Sequence, residues 1–202
     1  MTLEPRVVRE IAGAAERLRA GELVCFPTET MYGIAADIRR VDALERLAQI
    51  KGRADTSPFG LIVSAVDHAV ALASSWPTLA AELAAEHWPG ALTLVVPARS
   101  GLPEQLVGPG GGVGVRLTSH SWAAALAREV GGPITATSAN RSGEPAALDV
   151  DSARRYFGES LSHYLDAGRA VQETPSTVVS ISETGDLRVL RPGAVDISSS
   201  RT

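Results

Sequence analysis

The stretch VGVRLTSHSWAAALAREVGGPITAT, residues 113–137, decides the fold class. Val113 to Leu117 is a short run of valine and glycine ending in Arg116-Leu117, and reads as a strand. Ser121 to Val130 is alanine-rich and long enough for a helix, and Gly131-Gly132-Pro133 closes it, since glycine ends helices and proline cannot continue them. Ile134 to Thr137 follows as a second short strand. Strand, helix and strand in succession are the signature of an α/β layer.

The alternation continues in both directions. Upstream, Leu92 to Val96 and Leu61-Ile62-Val63 read as strands, and helical stretches fall near 67–73 and 78–87. Val41, Leu44, Leu47 and Ala48 mark an amphipathic helix that runs into Lys51. Leu23 to Phe26, bounded by Gly21 and Pro27, is another strand, preceded by helical spacing from Val7 to Leu18. Downstream, residues 151–157 suggest a helix, and strands near 163–166, 177–181 and 187–190 finish the chain, the last two as a hairpin. The expected fold is α/β: one domain over residues 1–202, with a twisted mixed sheet and flanking helices.

Composition supports a buried core. Of 202 residues, 45% are hydrophobic and 21% charged, while aromatics reach only 4%, so aliphatic residues must fill the interior. The single cysteine, Cys25, lies in an apolar run and reads as a small buried hydrophobe in a reducing compartment. The opening MTLEPRVVRE carries charges where a signal peptide needs an apolar segment. No run approaches the roughly 20 apolar residues that span a bilayer. The expectation is a soluble, cytoplasmic protein with no membrane partner. A formal charge of −4 argues against non-specific coating of nucleic acid.

The residues that can carry chemistry gather at strand ends. Pro27-Thr-Glu-Thr-Met-Tyr-Gly33 supplies hydroxyls at Thr28 and Thr30, the Tyr32 phenol, and a glycine where backbone can approach a ligand. Lys51-Gly52-Arg53 places two cations one residue apart, suited to a polyphosphate and equally to an ordinary helix C-terminus. Thr135 to Gly143 is dense in small hydroxyls and amides, which grip phosphates or simply cap turns. Arg116 inside an apolar strand requires either an acidic protein partner or an anionic ligand. Ser176-Thr177 and Arg191-Pro192-Gly193 complete the set. The glycine-rich 108–114 loop fits neither a Walker loop nor a dinucleotide fingerprint, and reads as a covering loop that could move over the site. The four histidines have no metal-ligand spacing, and no Gly-x-Ser-x-Gly elbow occurs.

Taken in order, PTETMYGI (27–34), KGR (51–53), WPGALTLVV (88–96), VGVR (113–116), TSANRSG (137–143), STVV (176–179) and VLRPGAV (189–195) resemble the YrdC/TsaC family of threonylcarbamoyl-AMP synthases. The resemblance implies a YrdC-like sheet around a deep basic cavity. It also implies that ATP, magnesium, bicarbonate and L-threonine enter the reaction and that pyrophosphate and threonylcarbamoyl-AMP leave it. By the same resemblance, a downstream threonylcarbamoyl-transferase is expected to modify tRNA with the product. Carried over by motif, Lys51, Arg53, Ser57, Ser138, Asn140 and Arg191 face the nucleotide, with Lys51 and Arg53 the catalytic cations. Thr30, Arg116, Ala136 and Ser176 surround threonine, and Thr28 and Tyr32 line the same pocket. The magnesium ligands are not identified. Ala54, Pro58-Phe59, Ile62, Ala91 and Leu117-Thr118 depart from the common pattern, bearing on the threonine pocket more than on the nucleotide site.

Two other functions compete. One is an RNA-binding module without catalysis, disfavoured by the acidic charge and scarce stacking rings; direct tRNA binding is expected to be weak. The other is a divergent paralogue that forms another carbamoyl-adenylate, against which the intact Ser138-Ala139-Asn140 triplet and Arg116 weigh.

Overall fold

In the computed structural model, residues 3–52, 57–170 and 174–197 are described. The chain runs through α1 (Pro5–Arg19), β1 (Val24–Phe26), β2 (Gly33–Ala35), α2 (Val41–Ile50), β3 (Leu61–Val63), α3 (Val66–Val70) and α4 (Thr78–His87). It continues through β4 (Leu92–Pro97), β5 (Gly112–Leu117), α5 (Ser121–Val130), β6 (Ile134–Thr135), β7 (Thr137–Ser138), α6 (Val150–Phe157), β8 (His163–Tyr164), β9 (Thr177–Ile181) and β10 (Leu187–Arg191). Helix limits follow local chemistry. Pro5 occupies the first turn of α1, where its missing N–H costs nothing, and Gly131 leaves α5 in the left-handed region at φ 78°.

The mixed pairing expected from the sequence is present, distributed over two sheets. The smaller has the order β7-β2-β1-β8 and the larger β10-β9-β4-β5-β3-β6. The β9–β10 hairpin is antiparallel as expected, and β9 lies parallel to β4.

Residues 134–137, read from sequence as one strand, divide between the sheets. Ile134 pairs with Ile62 in the larger sheet, whereas Thr137 pairs with Ile34 in the smaller. Thr135 makes the crossover, its hydroxyl accepting from Ala36 N–H and donating to the Ile34 carbonyl. Strand β2 was not anticipated, because Gly33-Ile34-Ala35 directly follows a turn-forming polar run and is too short for a periodic signal. The helix expected near 67–73 is the shorter α3.

Strand periodicity separates core from cavity. Leu92, Leu94 and Val96 of β4, Val113 and Val115 of β5, and Val179 and Ile181 of β9 share one buried cluster with Leu83, Ala84 and Trp88. The alternate residues of these strands face the other way and line a cavity. A second cluster joins Ile11, Ala14 and Leu18 of α1 to Leu126, Ala127 and Val130 of α5. Cys25 is buried, and burial pushes its thiol up to about 12, so it behaves as the inert hydrophobe expected. Among the described residues, no helix is long and apolar enough to cross a membrane.

Candidate active site

The cavity is about 1230 Å³ in volume. Its floor is the non-core face of the larger sheet: Thr93 and Val95 from β4, Gly112, Gly114 and Arg116 from β5, and Val178 and Ser180 from β9. The 28–33 segment, Ala136 to Ser138 and the 108–112 loop form its walls. Charged residues among those lining it are Arg116, Arg188, Arg191, Glu183 and Asp186.

Thr28 and Thr30 form a tight polar turn between β1 and β2. Thr28 Oγ1 donates to the Met31 carbonyl at 2.6 Å and accepts from the Thr30 and Met31 N–H groups. The two threonine hydroxyls lie 3.1 Å apart. Thr28's one proton is committed to Met31, so any hydrogen bond between the two hydroxyls is donated by Thr30. Tyr32 is among the residues that line the cavity, but its hydroxyl is engaged elsewhere. It donates to Gly168 O at 2.7 Å and accepts from Ala167 N–H at 3.1 Å. Burial raises this phenol to about 12. Tyr32 therefore ties the 166–168 turn to the site.

Arg116 is buried in β5, and burial lowers its pKa while Glu29 opposes the shift. Its Nη1 lies 3.3 Å from Glu29 Oε1, off hydrogen-bonding alignment, so both atoms are sealed from solvent without a hydrogen-bond partner among the described residues. Arg191 donates from Nε and Nη2 to the Ser176 carbonyl and from Nη2 to Ser176 Oγ at 3.0 Å. Ser176 Oγ also lies 3.0 Å from Thr93 Oγ1. Burial lowers the Arg191 pKa, and the charge of Arg116 lowers it further, so the two guanidiniums feel each other across this end of the cavity. Closure between β9 and the segment after β10 depends on Gly193. A Cβ there would stand 2.3 Å from the Pro175 carbonyl oxygen.

Lys51 ends α2 and is buried, but its ammonium is directed into the 138–140 loop. Nζ donates to the carbonyls of Ser138 and Asn140, each at 2.6 Å, and to Asn140 Oδ1 at 3.1 Å. Ser138 Oγ donates to Asn140 Oδ1, and Asn140 Nδ2 donates to the Glu144 carbonyl. The lysine thus organises the triplet expected to hold phosphate.

Of the residues predicted from sequence, Thr28, Thr30, Tyr32, Arg116, Ala136, Ser138, Ser176 and Arg191 line one cavity. Lys51 and Asn140 reach it through Ser138 and do not line it themselves. Ser57 is exposed and lies outside the lining set. Arg53 falls outside the described residues. Sequence reasoning missed Glu29, Thr93, Gly114, Val178 and Ser180. The last four were accessible in principle, because period-2 alternation along β4, β5 and β9 marks them as the face opposite the core.

The 108–112 loop forms part of the rim and is closed by backbone bonds, Gly108 N–H to Gly112 O and Gly111 N–H to Gly108 O. Among the described residues, no group of three or more His, Cys, Asp or Glu is arranged to hold a metal ion.

Comparison with known proteins follows the same geometry. The Sua5/YciO/YrdC family model, described as telomere recombination, matches residues 16–193. A Mycobacterium leprae protein named putative threonylcarbamoyl-AMP synthase is 42% identical over 190 residues, covering 94% of this chain and 86% of that protein. A Bacillus subtilis threonylcarbamoyl-AMP synthase is 35% identical over 188 residues, covering 92% of this chain and 54% of its own length. The crystal structure of Pyrococcus abyssi Sua5 complexed with L-threonine superposes with a TM-score of 0.91 at 32% identity. It covers 99% of this chain, which spans 58% of that longer protein.

Proposed function

We propose, because this chain belongs to the Sua5/YciO/YrdC family, that it is a threonylcarbamoyl-AMP synthase joining L-threonine, bicarbonate and ATP. The observation that carries this reading is the buried, incompletely paired Arg116 in the wall of a cavity of about 1230 Å³. A drug-sized ligand needs roughly 300–1,000 Å³, so this volume suits an amino acid and a nucleotide together. A relative with L-threonine bound and 32% identity supports the choice of amino acid.

Arg116 takes the threonine carboxylate, with Thr30, Ala136 and Ser176 around the rest of the molecule. Arg191 braces Ser176 and adds a second cation toward the phosphates. The threonine amine and bicarbonate condense to a carbamate and water. A carbamate oxygen then bonds to the α-phosphorus of ATP as the bond to the β-phosphate breaks, and pyrophosphate leaves. Alignment is the main contribution asked of the protein, worth roughly 7–11 kcal/mol in a well-oriented site. Ser138 stands at the cavity with its carbonyl held by Lys51 and its hydroxyl by Asn140, and Arg53 and Ser57 are proposed to meet the triphosphate. Magnesium enters as the counter-ion of ATP, which keeps several waters and needs no protein cage. The adenylate is a reactive mixed anhydride, so a carbamoyl-transferase acting on tRNA in the cytoplasm is the natural consumer.

Pyrophosphate release tests the assignment. It should require ATP, L-threonine and bicarbonate together, with the adenylate seen by mass spectrometry. Release independent of threonine rejects the reading. Arg53→Ala should lower turnover by about 100-fold or more, as removal of a charge-stabilising group does elsewhere. Wild-type turnover in that variant removes Arg53 from the mechanism.

A further inference from the structure

We infer that Glu29 is a positioning residue for substrate recognition: it holds the Arg116 guanidinium charged and aimed so that its free edge can meet the carboxylate of the amino acid. This rests on the proposed threonine reaction and assigns a role to a residue outside the cavity wall.

Three observations converge. Arg116 is almost wholly buried, with 7% of its side chain exposed, and Glu29 Oε1 at 3.3 Å is its salt-bridge partner among the described residues. A buried guanidinium without a counter-charge is strongly disfavoured, and here the second nearby charge, Arg191, is also positive. Glu29 therefore supplies the negative charge that lets Arg116 remain an empty receptor before substrate arrives.

The second observation is geometric. The ion pair misses hydrogen-bond alignment, leaving Arg116 Nη1 and Glu29 Oε1 without hydrogen-bond partners among the described residues. A carboxylate locked to the guanidinium by two parallel bonds would consume the fork that must grip the substrate. The observed arrangement provides charge without that consumption.

The third is the bracing of Glu29 itself. Thr118 Oγ1 donates to Glu29 Oε2 at 2.6 Å and accepts from the His120 N–H at 3.2 Å. Glu29 is thus fixed from the segment between β5 and α5, while its own backbone belongs to the turn carrying Thr28 and Thr30. One carboxylate couples the threonine turn of the smaller sheet to the arginine of the larger.

The test is steady-state pyrophosphate release by the intact chain, varying L-threonine and ATP separately. Glu29→Gln keeps the shape and removes the charge. It should raise the KM for threonine about 30-fold or more, the loss expected when one partner of a buried charge pair is truncated. The KM for ATP should stay within about threefold. In an Arg116→Gln background the same change should add less than about twofold, because nothing remains to position. A purely structural Glu29 would give equal factors in both backgrounds, and that result overturns the inference. Glu29→Asp should recover part of the threonine affinity. If Glu29→Gln fails to fold by circular dichroism, Thr118→Val carries the test. A raised threonine KM with unchanged ATP KM supports the inference, and an unchanged threonine KM defeats it. An active wild type with an unaffected Glu29→Gln refutes the role of Glu29 alone. A wild type that ignores threonine refutes the reaction and this inference together.

Discussion

At the residue scale, Lys51 shows how a buried cation can shape a cavity wall without lining it. Among the described residues its ammonium donates to the Ser138 and Asn140 carbonyls and to Asn140 Oδ1. Lys51→Met keeps the length of the stem and leaves buried carbonyls without their donor. Unsatisfied buried groups cost about 1–3 kcal/mol each. A melting temperature lower by roughly 5–10 °C is expected for a chain of this size. The KM for ATP should rise more than that for threonine, since the 138–140 loop loses its brace. A variant that melts normally yet loses turnover would instead place the ammonium on the phosphates during reaction. The two roles separate in one pair of measurements, thermal unfolding and steady-state kinetics.

At the element scale, the site is a consequence of strand alternation. Val113 and Val115 enter the core while Gly112, Gly114 and Arg116 floor the cavity, and β4 and β9 repeat the division. Gly114 leaves the floor open. A Cβ there would meet Thr93 Cγ2 and Val95 Cγ2 at an ordinary 3.6 Å, so the strand accepts a side chain whose further atoms enter the substrate space. Gly114→Val should fold, with a melting temperature within a few degrees of wild type, because valine suits a strand. Turnover at fixed substrate should fall about tenfold or more, as a displaced substrate loses alignment. Unchanged kinetics would show that the floor beneath Gly114 is not occupied. Elements with a strong periodic signal were legible from sequence: α5 occupies Ser121–Val130, as its alanine-rich run and terminal glycines require. The crossover at Thr135 was not, because local propensity cannot tell which sheet will satisfy an exposed strand edge. Thr30, Arg116 and Ser176 were legible through family motifs. Glu29 was hidden inside such a motif, since its importance comes from Arg116, far along the chain and adjacent only after folding. The redirected Tyr32 hydroxyl was hidden for the same reason, because its partners lie at 167 and 168.

At the scale of the whole molecule, a strand and a helix start each carry a histidine whose charging opposes folding. His163 lies on β8 of the smaller sheet, and His120 immediately precedes α5 beside the larger. Burial lowers the pKa of each; Glu29 partly opposes this for His120, while Arg17 and Arg154 reinforce it for His163 and Glu10 opposes it. His120 Nδ1 and His163 Nε2 are buried without hydrogen-bond partners among the described residues, consistent with neutral rings. An unfolded histidine titrates near 6.5. Between that value and the lower folded pKa, the unfolded chain binds more protons, so stability rises with pH across the window. The contribution is complete above about pH 6.5 and is lost as acidification carries the protein down to the folded pKa, each ring contributing at most about 1.4 kcal/mol per pH unit. The carboxylates with shifted pKa values, Glu22, Asp42, Asp149 and Asp186, are all lowered, so their loss of stabilisation falls at more acidic pH. Unfolding monitored from pH 7.5 to 5 should therefore show a decline attributable to histidine. His120→Gln and His163→Gln should each flatten that slope, and the double variant should flatten it further, since the residues belong to different elements, feel different charged neighbours and their effects should add. A slope unchanged in both single variants would mean that these rings accept protons as readily in the folded protein as outside it.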